Sequence, residues 1–487
     1  MQGTKEVPAD IDKIVIPGLD NKKGVPQAET ITAKNHLIDL EISGGNYKQL
    51  LGNLIFGYQW PQVNFVFKTD YQAVTLPLTY QIEPSDQNLN ANLDFWLMPF
   101  KNARIFTGIT TKAASHLQPY LTADGWGKWL EQMYNQINFS TELNLNLRST
   151  LKIKGDIGKF YQQGVKAPII PKLTSEDFNA KLEFEQNVSG LLRDKVNLCL
   201  GFEIKGQKVI TNNIVDNLDV YESLQKIILK THLRPIDNIY IDLGVNINNF
   251  RGLVARTNSN IIAQTSVVLP WVAILYAETE GGMKWQTVSE WYFEHPRPAV
   301  NSLPKPERIL EYYKIGWRHT WGDNIYSDVT CFKKRAMDTT VWLDNDGQGI
   351  FSLYNLPNTY LTGLKIDLEF KYTRYLWQKF TYLFRQIDKT IFPYLPRQEI
   401  KTTIFFEGNL ANINLNYCLL GQRNTNITPA SRILRPAHLV NLTIDFKLKP
   451  NLLLFLDNQN ILGSHWERWE GYTEKGFSVL TGIKLNF

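Results

Sequence analysis

Several groups of side chains in this 487-residue chain are of types that do chemistry. His465-Trp-Glu-Arg-Trp-Glu470 sets an imidazole close to two carboxylates, donors that bind zinc. The segment reads as a surface loop, where Trp466 and Trp469 fit loop packing and interfacial aromatics. Glu294-His295-Pro-Arg-Pro298 lacks the HExxH spacing that puts two imidazoles on one helix face. Cys199, Cys331 and Cys418 are too few and too scattered for a disulfide framework and show no metal-ligand spacing. Gly281-Gly282, between Glu280 and Met283, reads as a turn and not a phosphate loop. No Ser/His/Asp arrangement stands out. The chain is therefore read as a non-enzyme, with no catalytic, cofactor-binding or metal-binding residue.

The polar residues that remain are ordered by alternation. Asn138, Glu142, Asn144, Asn146 and Arg148 alternate with Ile137, Phe139, Leu143, Leu145 and Leu147. Past a short turn, Lys152, Lys154 and Asp156 alternate with Leu151, Ile153 and Ile157. Side chains of a strand point to opposite faces at period two, so these are strands with one apolar and one polar face. Helices would need a period near 3.6. The same alternation runs through 178–185, 196–205, 239–248, 364–371, 412–417 and 440–447. Leu243 falls on an apolar phase; Asn246, Cys199 and Cys418 fall on polar ones. The eight polar residues from Asn138 to Asp156 predict a mixed-charge wall, with amides that donate and accept hydrogen bonds. Trp126-Gly-Lys-Trp-Leu-Glu-Gln-Met-Tyr134 fits a short amphipathic helix in an early loop and reads as a loop aromatic cluster, with a partner site as the alternative.

Composition narrows the class. No Pro/Ser-rich linker or charge block divides the chain, and no run of 18 apolar residues predicts a membrane helix. A net charge of +5 at this length does not suggest nucleic acid as a partner. Met1-Gln-Gly-Thr-Lys-Glu-Val-Pro8 has no apolar h-region, so a secretory signal is expected to have been removed. Two parts are predicted: an extended N-terminal periplasmic segment, 1–35, and a strand-rich body, 36–487.

The last strand places Phe477, Val479, Ile483, Leu485 and Phe487 on one face, with only Leu480 and Thr481 out of phase. A terminal aromatic on such a strand resembles the C-terminal signal of bacterial outer-membrane β-barrels. Phe487, Leu485 and Ile483 are then that signal, read by the barrel assembly machinery. Counting back from it, connections 463–476, 421–437, 388–398 and 335–360 fall outside, and short turns near 449–450, 407–409, 372–374 and 322–324 fall inside. Long and short connections alternate, as they do for surface loops and periplasmic turns. The fold class is all-β: a transmembrane antiparallel β-barrel of about 22 strands with long extracellular loops and short periplasmic turns. Its apolar faces meet outer-membrane lipid.

Within 300–487 a family resemblance appears. Lys305-Pro306-Glu307 with Tyr313-Lys314-Ile315-Gly316 resembles the "PE…YEIG" start of a late strand in TonB-dependent receptors, with one extra residue between the pieces and Lys314 in place of Glu. Ser327–Lys334 and Leu361–Glu369 resemble the next two strands. Asp457-Asn-Gln-Asn-Ile-Leu-Gly463, Trp469-Glu-Gly-Tyr472 and Gly476-Phe477 resemble the closing "NL…GYPEPGR" segment, with Thr473-Glu-Lys-Gly476 at Pro-Glu-Pro-Gly and no Arg. The resemblance implies uptake of a ligand across the outer membrane. Those receptors carry a plug ahead of the barrel, for which 1–35 leaves no room. The lumen is accordingly expected to hold inward-folded loops, 335–360 foremost, or a separately encoded plug or lipoprotein partner. A structural, assembly or secretion barrel and an open porin are the alternatives.

Overall fold

A computed structural model describes residues 36–486 apart from 46–48, 60–62, 76–84, 101, 119–127, 147, 166–171, 189–195, 213–216, 271–272, 293–297, 300–302, 344–350, 389–391, 428–431, 471 and 475. The expectations for 1–35, for Glu294-His295 and for Phe487 lie outside the described residues.

Strands dominate from His36–Gly45 to Ser478–Asn486, each paired antiparallel with its neighbour in the ring. The main sheet has 23 strands. Ala273–Glu280 and Gly282–Lys284 both pair with Glu307–Trp321, so they are one stave interrupted at Gly281, and the barrel has 22 staves. Closure runs from Asp39 opposite Asn486 to Gly45 opposite Leu480. A closed ring leaves no strand edge unpaired, which is what lets a sheet satisfy its backbone within hydrocarbon.

The alternation read from sequence sets the faces. In Ile239–Arg251, Leu243, Val245 and Ile247 are 48%, 43% and 45% exposed, while Asn246, Asn248 and Phe250 are buried. A soluble protein would bury the first set; a lipid-facing stave presents it. Connections alternate as expected. Ile236 to Ile239, Trp321 to Ile325 and Lys449 to Leu452 are tight, whereas Lys284 to Glu307, Met337 to Thr359, Leu420 to Ala437 and Gln459 to Ser478 are long.

One stave position shows how the ring is packed. Gly316 lies opposite Tyr276, and the Tyr276 ring covers it where any Cβ would stand. The Tyr276 hydroxyl bonds Asp328 at 2.7 Å and Thr330 at 2.6 Å, tying three staves together. Lys128–Asn146 is strand throughout, so 128–134 forms neither the expected loop nor an amphipathic helix. Met133 is 43% exposed and Gln132 buried, which is strand alternation carried to the stave's outer end.

Candidate functional site: a loop cap on the polar face

The segment leaving Gly282–Lys284 does not project away from the ring. Thr287-Val-Ser-Glu290 is a capping box, with Glu290 Oε2 accepting from Thr287 N at 2.7 Å, and it starts the one-turn helix Val288–Tyr292. That turn lies on the polar face of several staves. Gln132 Nε2 donates to the Tyr292 carbonyl at 2.7 Å and to Gln162 Oε1 at 3.0 Å. The Ser289 hydroxyl donates to Asp177, which also accepts from Ser175. Gln207 Oε1 accepts from Val288 N at 2.8 Å. Lys205 Nζ pairs with Glu290 at 2.7 Å and bonds the Trp285 carbonyl at 3.2 Å. Asn246 Nδ2 donates to the Gly281 carbonyl at 2.9 Å. One short segment thus spans staves from Lys128–Asn146 to Ile239–Arg251, always by the polar phase. That phase is the interior one.

Around the helix sits an apolar core that barrels built only of staves do not have. Val288 and Tyr292 pack with Leu303, Trp342, Phe351, Leu353, Tyr394 and Leu434, and with Phe160, Leu173 and Val209 from the wall. Tyr292 meets Trp342 edge-on, ring centres 5.2 Å apart, and Tyr394 meets Trp469 at 4.7 Å. The hairpin Thr339–Leu343 with Phe351–Leu356 supplies Trp342, Phe351 and Leu353, and Pro298-Ala299 joins it as a parallel strand beside Phe351-Ser352. Five long connections therefore contribute to one core. A second, smaller cluster of Leu224, Phe250, Met283 and Trp285 extends it over the wall, with Phe250 and Trp285 5.2 Å apart. Burial of this kind contributes about 1.5–3 kcal/mol for each large side chain. Complete burial also raises the Tyr292 phenol above its ordinary ionisation, so the cap holds it neutral.

The expected loop, 335–360, contributes the hairpin to the cap, but 285–292 makes the wall contacts. Sequence reading missed 285–306 because five helical residues carry no measurable period. A usable signal did exist: Phe160, Leu173, Val209, Leu224 and Phe250 are apolar residues on the polar phase of their staves, all near the same end.

Asn138, Glu142, Asn144, Lys152, Lys154 and Asp156 share one face with Gln132 and Gln162, toward the opposite end of their staves, whereas Asn146 lies past a register shift and Arg148 in the turn between the two staves. Asn144, Asn146, Arg148 and Lys154 are exposed; Asn138, Glu142, Lys152 and Asp156 are half-buried. Lys152 pairs with Glu185 at 3.1 Å, and Asp156 accepts from Asn179 at 3.1 Å. Asn144 accepts from Thr150 at 3.1 Å and Asn146 from the Arg148 amide at 2.8 Å. Ile483, 45% exposed, and Leu485 lie on the opposite face to Lys484 in the closing stave.

The chemical candidates resolve into structure. Arg432 holds Glu467 at 2.7 Å and Glu470 at 3.7 Å, so the His465–Glu470 segment spends both its carboxylates on arginine. Arg423 is buried against it, donating to the Glu467 carbonyl at 2.9 Å and stacking on Trp466; burial lowers its pKa, opposed by Glu467. All three cysteines are free, and no metal-binding cluster occurs among the described residues.

No sequence-family model and no curated protein matches this chain. Solved structures do. The siderophore receptor PiuA from Acinetobacter baumannii matches with a TM-score of 0.71 at 10% identity, over 93% of this chain and 82% of that one. The barrel has the fold of the siderophore receptors. The ferric-catecholate import receptor Fiu from Escherichia coli K12 gives 0.69 at 9% identity, covering 93% and 82%. The ferripyoverdine receptor of the outer membrane of Pseudomonas aeruginosa gives 0.70 at 12%, covering 93% and 72%. Closed ring, stave number and alternation of loops and turns all agree with that fold.

Proposed function

We propose that this chain is a bacterial outer-membrane barrel that carries a ligand across that membrane, with its mouth narrowed by its own loops. The observation that carries the reading is the cap: five long connections fold together over the interior face and share one core. An open porin has no use for such a core, and a barrel this wide is otherwise a large hole in the permeability barrier. The outward apolar phases supply the lipid contact, with Leu243 at 48% and Ile157 at 64% exposure. The structural neighbours add support, being named as siderophore receptors and, in one case, as the copper transporter OprC, with TM-score 0.68 at 10% identity over 93% of this chain and 80% of that one. These names belong to receptors and transporters, in keeping with a non-enzymatic role.

In this reading Asn138, Glu142, Asn144, Asn146, Arg148, Lys152, Lys154 and Asp156 line the lumen below the cap, where mixed charges bind water or a protein surface without a steep selectivity field. Residues 1–35 form an extended periplasmic segment and 36–487 the barrel. Ile483 and Leu485, with Phe487, are the part read by the barrel assembly machinery. A separate plug or lipoprotein is the partner that would fill the lower lumen. Reconstitution into planar bilayers tests the proposal. The capped barrel should show little steady current, whereas a large, ungated, steady current would give the open-porin reading the advantage.

A further inference from the structure

Between the cap and the wall, beside the aromatic core, lies a cavity of about 440 Å³. Leu253 and Val254 from a short surface connection, Leu303 from the cap segment, and Leu353 and Tyr354 from the hairpin make its sides. Glu222, from the stave Asn217–Ile236, completes the lining and is 5% exposed. Its carboxylate accepts from Gln207 Nε2 at 2.7 Å and from the Leu253 backbone N–H, both neutral donors. Among the described residues no cation forms an ion pair with it. Lys305, also in the lining, is exposed and bonds Asn355 at 3.1 Å through its backbone N–H, not its ammonium.

Glu222 shares this lack of an ion pair among the described residues with Asp177, whose two carboxylate oxygens are taken by the Ser175 and Ser289 hydroxyls; of the two, Glu222 is the one that lines a cavity. Other shielded carboxylates have a cation in place: Glu278 with Lys314 at 3.4 Å, Glu307 with Lys334 at 2.9 Å, Asp328 with Arg318 at 3.0 Å, Glu399 with Arg385 at 3.4 Å. An uncompensated buried charge is costly, and native structures ordinarily pair it. Glycine at 252 lets the surface connection pass close against the Glu222 side chain. A Cβ at Gly252 would stand 2.7 Å from Glu222 Cγ and 2.9 Å from Oε1. Mostly apolar walls with a few polar groups, here Glu222, Asn355 and the exposed Lys305, describe the usual small-molecule site.

We propose that this cavity binds an organic cation: a primary amine with an apolar body, its ammonium on the Glu222 carboxylate and its carbon chain against Leu253, Val254, Leu303 and Leu353. The proposal names a ligand class for the cap of the preceding section but needs no passage through the barrel. Equilibrium binding therefore tests it apart from uptake, and a barrel that binds without transporting would leave it standing.

The experiment uses the full chain in a neutral-detergent micelle, with n-hexylamine, 1-hexanol and hexanoate as probes, followed by calorimetry and ligand-observed saturation-transfer NMR. Hexylamine should bind at least tenfold tighter than hexanol, and hexanoate not detectably. Glu222→Gln should erase the amine preference while the barrel stays heat-modifiable. Leu253→Arg serves where that variant folds poorly: position 253 is 60% exposed in a surface connection, and a guanidinium there would occupy the cation's place and abolish amine binding. Equal binding of amine and alcohol would overturn the proposal, showing Glu222 held as a neutral carboxyl. Amine binding unchanged in both variants would overturn it too, by placing the probe elsewhere, in the micelle or on the outer face.

Discussion

Tyr292→Ala should release the cap without unfolding the barrel. Tyr292 is fully buried, packed edge-on against Trp342 and within the core shared by the long connections. Truncating a buried large aromatic to Ala costs about 3–5 kcal/mol. Little of that cost can fall on the ring of staves, because Tyr292 belongs to none of them and its backbone bond to Gln132 survives the change. The loss therefore acts on the docked-to-undocked equilibrium of 285–306. At about 1.4 kcal/mol per decade, the shift is about two to three and a half orders of magnitude. Two readouts follow it: single-channel conductance in planar bilayers, which should rise, and protease cleavage within 285–306, which should speed up. Heat-modifiable migration should stay as in the parent protein. Ile433→Ala, at a loop position 55% exposed, is the control and should move neither readout. A folded Tyr292→Ala barrel with parental conductance and parental protease resistance would refute the reasoning, since the cap would then not rest on this core.

Three further changes probe the wall. Leu243→Arg should reduce the yield of folded barrel in membranes by the equivalent of about 2–4 kcal/mol if the position lies near mid-bilayer, whereas Asn144→Arg, on an exposed interior-phase position, should be tolerated; equal yields would reverse the phase assignment. Asn246 is unsuitable as that control, because it is buried beneath the cap and bonded to the Gly281 carbonyl. Gly316→Val should collide with the Tyr276 ring and lower the temperature at which heat-modifiability is lost, and Tyr276→Ala in the same chain should recover part of it. Asp177→Ala should leave Ser289 and Ser175 without their shared acceptor, costing about 1–3 kcal/mol and accelerating cleavage of 285–306 with no effect on barrel yield.

The staves were legible because a closed barrel obliges each strand to state its own faces. Leu243, Val245 and Ile247 against Asn246 and Asn248 is a purely local statement, and the structure repeats it. The alternation of connections was equally legible: Trp321 to Ile325 is short and Met337 to Thr359 long. What could not be read locally is the contact between Gln132 and Tyr292, 160 residues apart, or the parallel pairing of Pro298-Ala299 with Phe351-Ser352. These depend on closure of the ring, which brings distant connections to one mouth. The reading of 126–134 failed differently. Trp129, Leu130, Met133 and Tyr134 have a spacing that a helix tolerates, and ladder pairing with Ser149–Val165 decided for strand.

The exceptions to the alternation carry the information that the alternation itself does not. Leu480 breaks the pattern of the closing stave, and it is one of the buried residues, on the same phase as Ser478 and Lys484. Phe160, Leu173, Val209, Leu224, Phe250 and Leu420 are the same kind of exception on other staves, and all are buried. On a water-filled wall each would be an apolar side chain facing solvent for no gain. Covered by a loop, each contributes to a core. Because all lie toward one end of their staves, the cover must come from the connections at that end, which here are the long ones. In the stave Lys128–Asn146 the interior phase runs from buried Gln132 to exposed Asn144, so among the described residues the cap covers one end of the wall and the far part is polar and exposed. A barrel sequence thus encodes its interior cover as out-of-phase apolar residues, and their distribution along the staves says from which side that cover descends.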